Sequence, residues 1–94
     1  MKVHWTASAR LDRLAIADHI AADSPRAAVR MDTLFTEAAE SLARFPRMGR
    51  VGKVTGTREI FPHESYRLIY EVGDDTVWIL TLIHTSRQWP PEHG

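Results

Sequence analysis

Two arginines and three histidines are the groups in this chain best suited to chemistry. Arg67 sits in Ser65-Tyr66-Arg67-Leu68-Ile69-Tyr70-Glu71-Val72, and Arg87 follows Trp78-Ile79-Leu80-Thr81-Leu82-Ile83-His84-Thr85-Ser86. Both runs have strand composition, and Gly73-Asp74-Asp75 between them reads as the turn of a hairpin. In neighbouring antiparallel strands, register decides whether the two guanidinium groups meet at one site. A guanidinium grips phosphate with paired hydrogen bonds and stays charged, but it is a poor proton donor. Proton transfer would fall to histidine, which titrates near neutrality. His63 lies just before the Arg67 strand, His84 at the end of the last strand and His93 in the tail. Each also has a plainer role, as a turn residue, a hydrogen-bonded strand end and a tail residue. No pair of them has the spacing usual for metal ligands, and no cofactor is expected. Tyr66 and Trp89 could stack on bases, although a tryptophan before Pro90-Pro91 serves equally to pack the tail on the sheet. For the two arginines the plainer roles are an ion pair with Glu59 or Glu71, or anchorage of the C-terminal segment.

Composition limits what can position these groups. A chain of 94 residues suits one domain, residues 1–94, with a single modest core. Its 44% hydrophobic and 26% charged content is that of an ordinary globular protein. The absence of cysteine excludes disulfides and thiolate metal sites. Lys2-Val3-His4-Trp5-Thr6 does not resemble a signal peptide, so a cytoplasmic location and no membrane partner are expected. Zero formal net charge argues against nucleic-acid binding by bulk electrostatics. The charge is nonetheless uneven: Arg44, Arg47, Arg50, Lys53, Arg58 and Arg67 face only Glu59 and Glu64 in their stretch, whereas the remainder is acidic.

The order of elements follows from periodicity. Lys2 to Trp5 reads as an edge strand. Ala7 to Ala22 reads as a helix whose polar residues Ser8, Asp12, His19 and Asp23 gather on one narrow side, so more than one neighbour should cover the rest. Ser24 suits the cap and Pro25 the first position of a second helix, about Pro25 to Phe45. Its stripe of Ala27, Met31, Leu34, Phe35, Ala38, Leu42 and Phe45 should be core. The short link predicts an antiparallel helical hairpin. Arg47 to Gly52 reads as loop, followed by strand signals at Lys53 to Thr55 and Arg58 to Phe61, Ser65 to Val72 and Thr76 to His84. The last run is apolar at both parities, which predicts a strand buried on both faces in mid-sheet. The predicted class is α+β, a β-α-α-β-β-β chain with the hairpin packed on one face of a mostly antiparallel twisted sheet.

Several segments together carry a resemblance: Ser24-Pro25 after an Ala-rich helix, Phe45-Pro46-Arg47-Met48-Gly49-Arg50, Gly56-Thr57-Arg58-Glu59, Tyr66-Arg67-Leu68-Ile69-Tyr70-Glu71-Val72 and His84-Thr85-Ser86-Arg87-Gln88-Trp89-Pro90. In this order they resemble the RelE/ParE toxin superfamily of bacterial type II toxin–antitoxin modules. The resemblance implies a growth-inhibiting toxin neutralised by a cognate antitoxin, which should lay a helix or extended segment across the sheet and hairpin. It also implies one of two mechanisms. RelE-like members cut messenger RNA on the ribosome without a metal, by attack of a 2′-hydroxyl on the adjacent phosphate, which needs positive charge, a base and an acid.

Under that reading Arg67 and Arg87 match the family's two arginines and Arg58 stands about where the first of two lysines falls. Ile60 replaces the second lysine, and His93 stands roughly where RelE carries a C-terminal tyrosine. His63, His84 or His93 would then move protons, while Arg50, Lys53, Tyr66 and Trp89 would contact RNA. ParE-like members instead inhibit DNA gyrase through protein contacts. The retained arginine pair makes the ribosome-dependent endoribonuclease the leading expectation. Neutral charge and the missing lysine favour gyrase inhibition as its alternative.

Overall fold

The computed structural model describes residues 1–91. In chain order the elements are β1 (Lys2–Trp5), α1 (Ala7–Ala21), α2 (Pro25–Arg44), β2 (Arg50–Val51), β3 (Thr57–His63), β4 (Tyr66–Val72) and β5 (Thr76–His84). The strands form one sheet in the order β1-β5-β4-β3-β2. All pairings are antiparallel except that of β1 with β5. Both helices pack on one face, the α+β arrangement expected from the sequence.

Each helix begins where a hydroxyl can replace a missing carbonyl. The Thr6 hydroxyl accepts from the Ala9 N–H at 3.2 Å and donates to the Leu80 carbonyl at 3.4 Å, so one side chain starts α1 and binds it to β5. Ser24 caps α2 by accepting from the Ala27 N–H at 3.1 Å, with Pro25 in the first turn. Arg13 of α1 then clamps the hairpin. Its Nε donates to Asp32 at 2.6 Å, another nitrogen donates to the Thr36 hydroxyl at 2.7 Å, and its guanidinium lies 4.7 Å from the Trp5 ring centre.

The core lies between the hairpin and the middle strands. Ala9, Phe35, Ala39 and Leu42 of the helices meet Leu68 and Tyr70 of β4 and Val77, Ile79 and Leu82 of β5. Most of the expected α2 stripe faces inward, but Phe45 is 62% exposed because the helix has ended at Arg44 and the chain turns there.

Three expectations are corrected by the structure. The first concerns α1, of which only Ala9 is buried, while Leu11 and Leu14 are 67% and 61% exposed. Its narrow polar side is turned inward at one point: Asp12 accepts from the Thr81 hydroxyl at 2.8 Å and the Leu82 N–H at 3.3 Å. Fixing the helix to the β5 edge through Asp12 leaves its apolar crest outside.

The second concerns β5, which is not buried on both faces. Tyr70 opposes Ile79 and Ile69 opposes Thr81, so Leu80 is an extra residue, a bulge. Parity changes there, and the inward residues are Val77, Ile79 and then Leu82, with Trp78 42% exposed. A bulge between two one-sided stretches imitates a two-sided strand in the sequence.

The third concerns the connection before β3. Arg50–Val51 pairs as β2 inside the expected loop, and the expected strand Lys53 to Thr55 is a turn. That turn is closed by the Gly52 N–H to the Thr57 carbonyl at 2.8 Å and by the Thr57 hydroxyl to the Val54 carbonyl at 2.6 Å. Gly56 has φ +87°, a conformation that costs glycine little.

Candidate functional site

Strand alternation decides where the arginines go. Tyr66, Leu68 and Tyr70 face the helices, so Arg67 between them projects from the uncovered face of the sheet. Glu59 pairs in register with Ile69, beside Arg67 on that same face, and is buried. The Glu59 carboxylate receives Arg50 on one side, with Nε and Nη2 at 2.6 and 2.5 Å from Oε1, and Arg67 Nη1 on the other, 3.5 Å from Oε2. Arg67 Nη2 donates to the Arg87 carbonyl, which fastens the segment after β5 across the sheet. Its Nε is buried and makes no hydrogen bond among the described residues. Both plainer roles foreseen for Arg67, the ion pair and the anchorage, therefore apply at once.

Arg58 serves the other face. It donates from Nη1 to the carbonyls of Gly49 at 2.8 Å and Arg47 at 3.4 Å. The same loop is held by the Gly49 N–H, which donates to the Tyr70 hydroxyl at 3.0 Å. A Cβ on Gly49 would stand 2.6 Å from that hydroxyl, so only glycine fits. Burial pushes the Tyr70 pKa up, against the smaller opposing pull of the Gly49 N–H and the Arg58 charge.

The remaining candidates are scattered. Nδ1 of His63 accepts from the Ser65 N–H at 3.0 Å, a turn contact. Nδ1 of His84 accepts from the Ser86 N–H at 3.1 Å and lies 2.8 Å from the Ser86 hydroxyl, so in the neutral ring the proton is on Nε2. His93 lies outside the described residues. Tyr66 is buried edge-on against Phe35 and His84, at 5.7 and 5.4 Å between ring centres, and has no face free for a base. Lys53 is exposed in the turn before β3, Arg50 lies 5.0 Å from the Phe61 ring centre, and Trp89 is half-buried.

Two recesses flank the sheet. One, of about 480 Å³, lies between α1 and the end of β5 and is bordered by Asp12, His19, Tyr66, His84, Ser86 and Arg87. The other, also about 480 Å³, runs between α2 and β3 and includes Glu37, Met48 and Phe61. His84 and Arg87 thus share a cleft with α1, while Arg67 is occupied on the uncovered face. The Arg67 guanidinium is held at Glu59 and at the Arg87 carbonyl, whereas the Arg87 side chain borders the cleft beside α1. Asp12 and His19 are the cleft residues to which the sequence assigned no task. Their spacing on one side of a helix was the available signal. Among the described residues no group of three or more His, Asp or Glu side chains is placed to hold a metal, and no helix is long and apolar enough to cross a membrane.

A helical hairpin on one face of a five-stranded sheet, with arginines on β3, β4 and the segment after β5, is the architecture of a RelE/ParE superfamily toxin. The family described as "ParE toxin of type II toxin-antitoxin system, parDE" matches residues 3–89, and the chain belongs to it. It is 37% identical over 92 residues to "Putative toxin Y4kP" of Sinorhizobium fredii, covering 95% of this chain and 93% of the relative. It is 40% identical over 86 residues to "Toxin RelE2" of Caulobacter vibrioides, covering 92% and 97%. Among solved structures it resembles a chain of the chromosomal ParDE TA system from P. aeruginosa, with TM-score 0.78, 24% identity and coverage of 89% and 95%. It also resembles the YoeB dimer from Staphylococcus aureus, with TM-score 0.61, 16% identity and coverage of 86% and 92%. The chain is the toxin of a type II toxin–antitoxin system, and a cognate antitoxin is its implied partner.

Proposed function

We propose that this toxin arrests growth by gripping a protein target, DNA gyrase, and not by cutting RNA. The observation that carries this reading is the engagement of Arg67 by buried Glu59 and by the Arg87 carbonyl. A phosphate approaching Arg67 would meet a carboxylate that has lost most of its solvent screening, and both terminal nitrogens of the guanidinium already face acceptors, leaving only the buried Nε unpaired among the described residues. Arg58 is likewise committed to two carbonyls. The sequence departures at Ile60 and in the tail point the same way, because they remove groups that RelE-type cleavage uses.

The ribosome-dependent nuclease remains the second reading, supported by one observation: His84 and Arg87 border a common cleft, with His84 Nε2 carrying a proton in the neutral ring. Two assays divide the readings. Under the first, purified toxin blocks supercoiling by gyrase, and primer extension on messages after induction finds no new ends. Cuts inside translated codons, with gyrase unaffected, would overturn it.

A further inference from the structure

α1 forms a ridge with a recess on each flank. Asp12, Ala15, Ile16 and His19 border the cleft toward β5, whereas Arg10, Arg13, Leu14 and Ala17 border a recess beside β1. The crest between them is the exposed Leu11 and Ala15, with Asp18 beyond. The cleft toward β5 has an apolar floor of Ile16, Tyr66 and Leu82 under three nitrogen-bearing side chains, His19, His84 and Arg87. Asp12, the one acid that borders it among the described residues, is occupied by Thr81 and Leu82. The Arg87 guanidinium forms no ion pair among the described residues, and the Nδ1 atom of His84 is turned to Ser86. Among the described residues the site is therefore short of negative charge, next to an apolar crest that they leave exposed.

We infer that this cleft seats a carboxylate side chain of the cognate antitoxin, held by Arg87 with His84 and His19 alongside, while flanking apolar residues of the same segment cover Leu11 and Ala15. The inference rests on the toxin–antitoxin partnership and is independent of whether gyrase or the ribosome is the target. Two features select a protein segment over RNA. The cleft adjoins aliphatic surface at Leu11, Ala15, Ile16 and Leu82, which an apolar protein side chain covers and a phosphate backbone does not. Arg67, which would have to supply a second phosphate contact, is held on the opposite face. Strand addition at the open end of β5 is also disfavoured, because Asp12 takes the Leu82 N–H and Thr6 takes the Leu80 carbonyl. The segment must bind by its side chains, as an amphipathic helix laid along the ridge does.

The test is an affinity measurement between full-length toxin variants and purified antitoxin. Arg87→Glu changes an exposed side chain and leaves the backbone carbonyl that holds Arg67, so an unchanged melting temperature is expected. Antitoxin binding should weaken by about ten-fold or more, with a shallower salt dependence. Arg26→Glu, an equal charge change on the exposed first turn of α2, should shift it by less than about two-fold. One Asp or Glu→Lys substitution in the antitoxin should restore binding to Arg87→Glu while weakening binding to the parent. Leu11→Glu should weaken binding without loss of stability. Equal affinity of Arg87→Glu and parent overturns the inference. So does an Arg87→Glu variant that loses binding to a single-stranded RNA oligonucleotide, or loses self-association, while its antitoxin affinity is retained. A parent chain that neither arrests growth nor binds the antitoxin overturns the partnership itself, which separates that failure from the first.

Discussion

At Glu59 a single carboxylate holds two guanidinium groups in unequal surroundings, which gives an ordered prediction. Arg67 is 16% exposed at its side chain and Arg50 is 66% exposed. Glu59→Gln leaves Arg67 half-desolvated without a counter-charge and should cost about 2–3 kcal/mol in urea unfolding, somewhat below the cost of breaking a fully buried pair. Arg50→Ala should cost no more than about 1 kcal/mol, since most of its interaction is shared with water. Equal losses would mean that the Arg67 pair is not the buried one. Tyr70 gives a second prediction with a definite sign. A phenol whose pKa is raised on folding contributes stability that is complete below its unfolded value, about 10, and is lost as pH climbs past it. Parent stability should therefore fall in alkali. Tyr70→Phe should flatten that fall and, by stranding the Gly49 N–H, cost about 1–2 kcal/mol at neutral pH. Denaturation midpoints across the alkaline range measure both effects.

Among the elements, what could be read from the sequence was whatever repeats. The second helix with its cap at Ser24, the hairpin, the β4–β5 pairing through Gly73-Asp74-Asp75 and the α+β class all follow from period and punctuation. What could not be read depends on one residue out of register. The Leu80 bulge reverses the parity of β5, and a run apolar at both parities, interrupted only by Thr81, does not by itself reveal an extra residue. The crest of α1 was misassigned for a related reason: composition shows that a helix is mostly apolar, but the Asp12 contacts with β5 decide which side is covered. The site shows the same division. Arg67 and Arg87 stood out as residues, but strand alternation and a neighbouring carboxylate set Arg67 against Glu59, while the Arg87 side chain borders the cleft beside α1. Two substitutions probe these local devices. Thr6→Ala removes both the α1 cap and the donor to the bulge carbonyl and should cost about 1–2 kcal/mol. Gly49→Ala pushes a methyl into the Tyr70 hydroxyl and the Glu59 carbonyl and should cost about 2 kcal/mol or more, seen in thermal unfolding.

Across the whole molecule the apolar surface is unevenly shared. Leu11 and Leu14 lie on one helix, while Met48 and Phe61 border the recess beside β3 and Phe45 and Val51 belong to the same stretch of chain, each at least 47% exposed. Replacing Leu11 and Leu14 by lysine should change stability by no more than about 0.5 kcal/mol each and reduce self-association of the isolated toxin in light scattering. The parallel pairing of β1 with β5 has a further consequence. Residues 2–5 find their strand partner only at residues 76–79, close to the far end of the chain. During translation the first strand must wait, unpaired, until residues 76–79 have been made, so this long-range pairing closes late. A fragment that stops before Thr76 lacks both the strand partner of β1 and the Val77, Ile79 and Leu82 share of the core, so it should be unable to present the surfaces of the folded molecule.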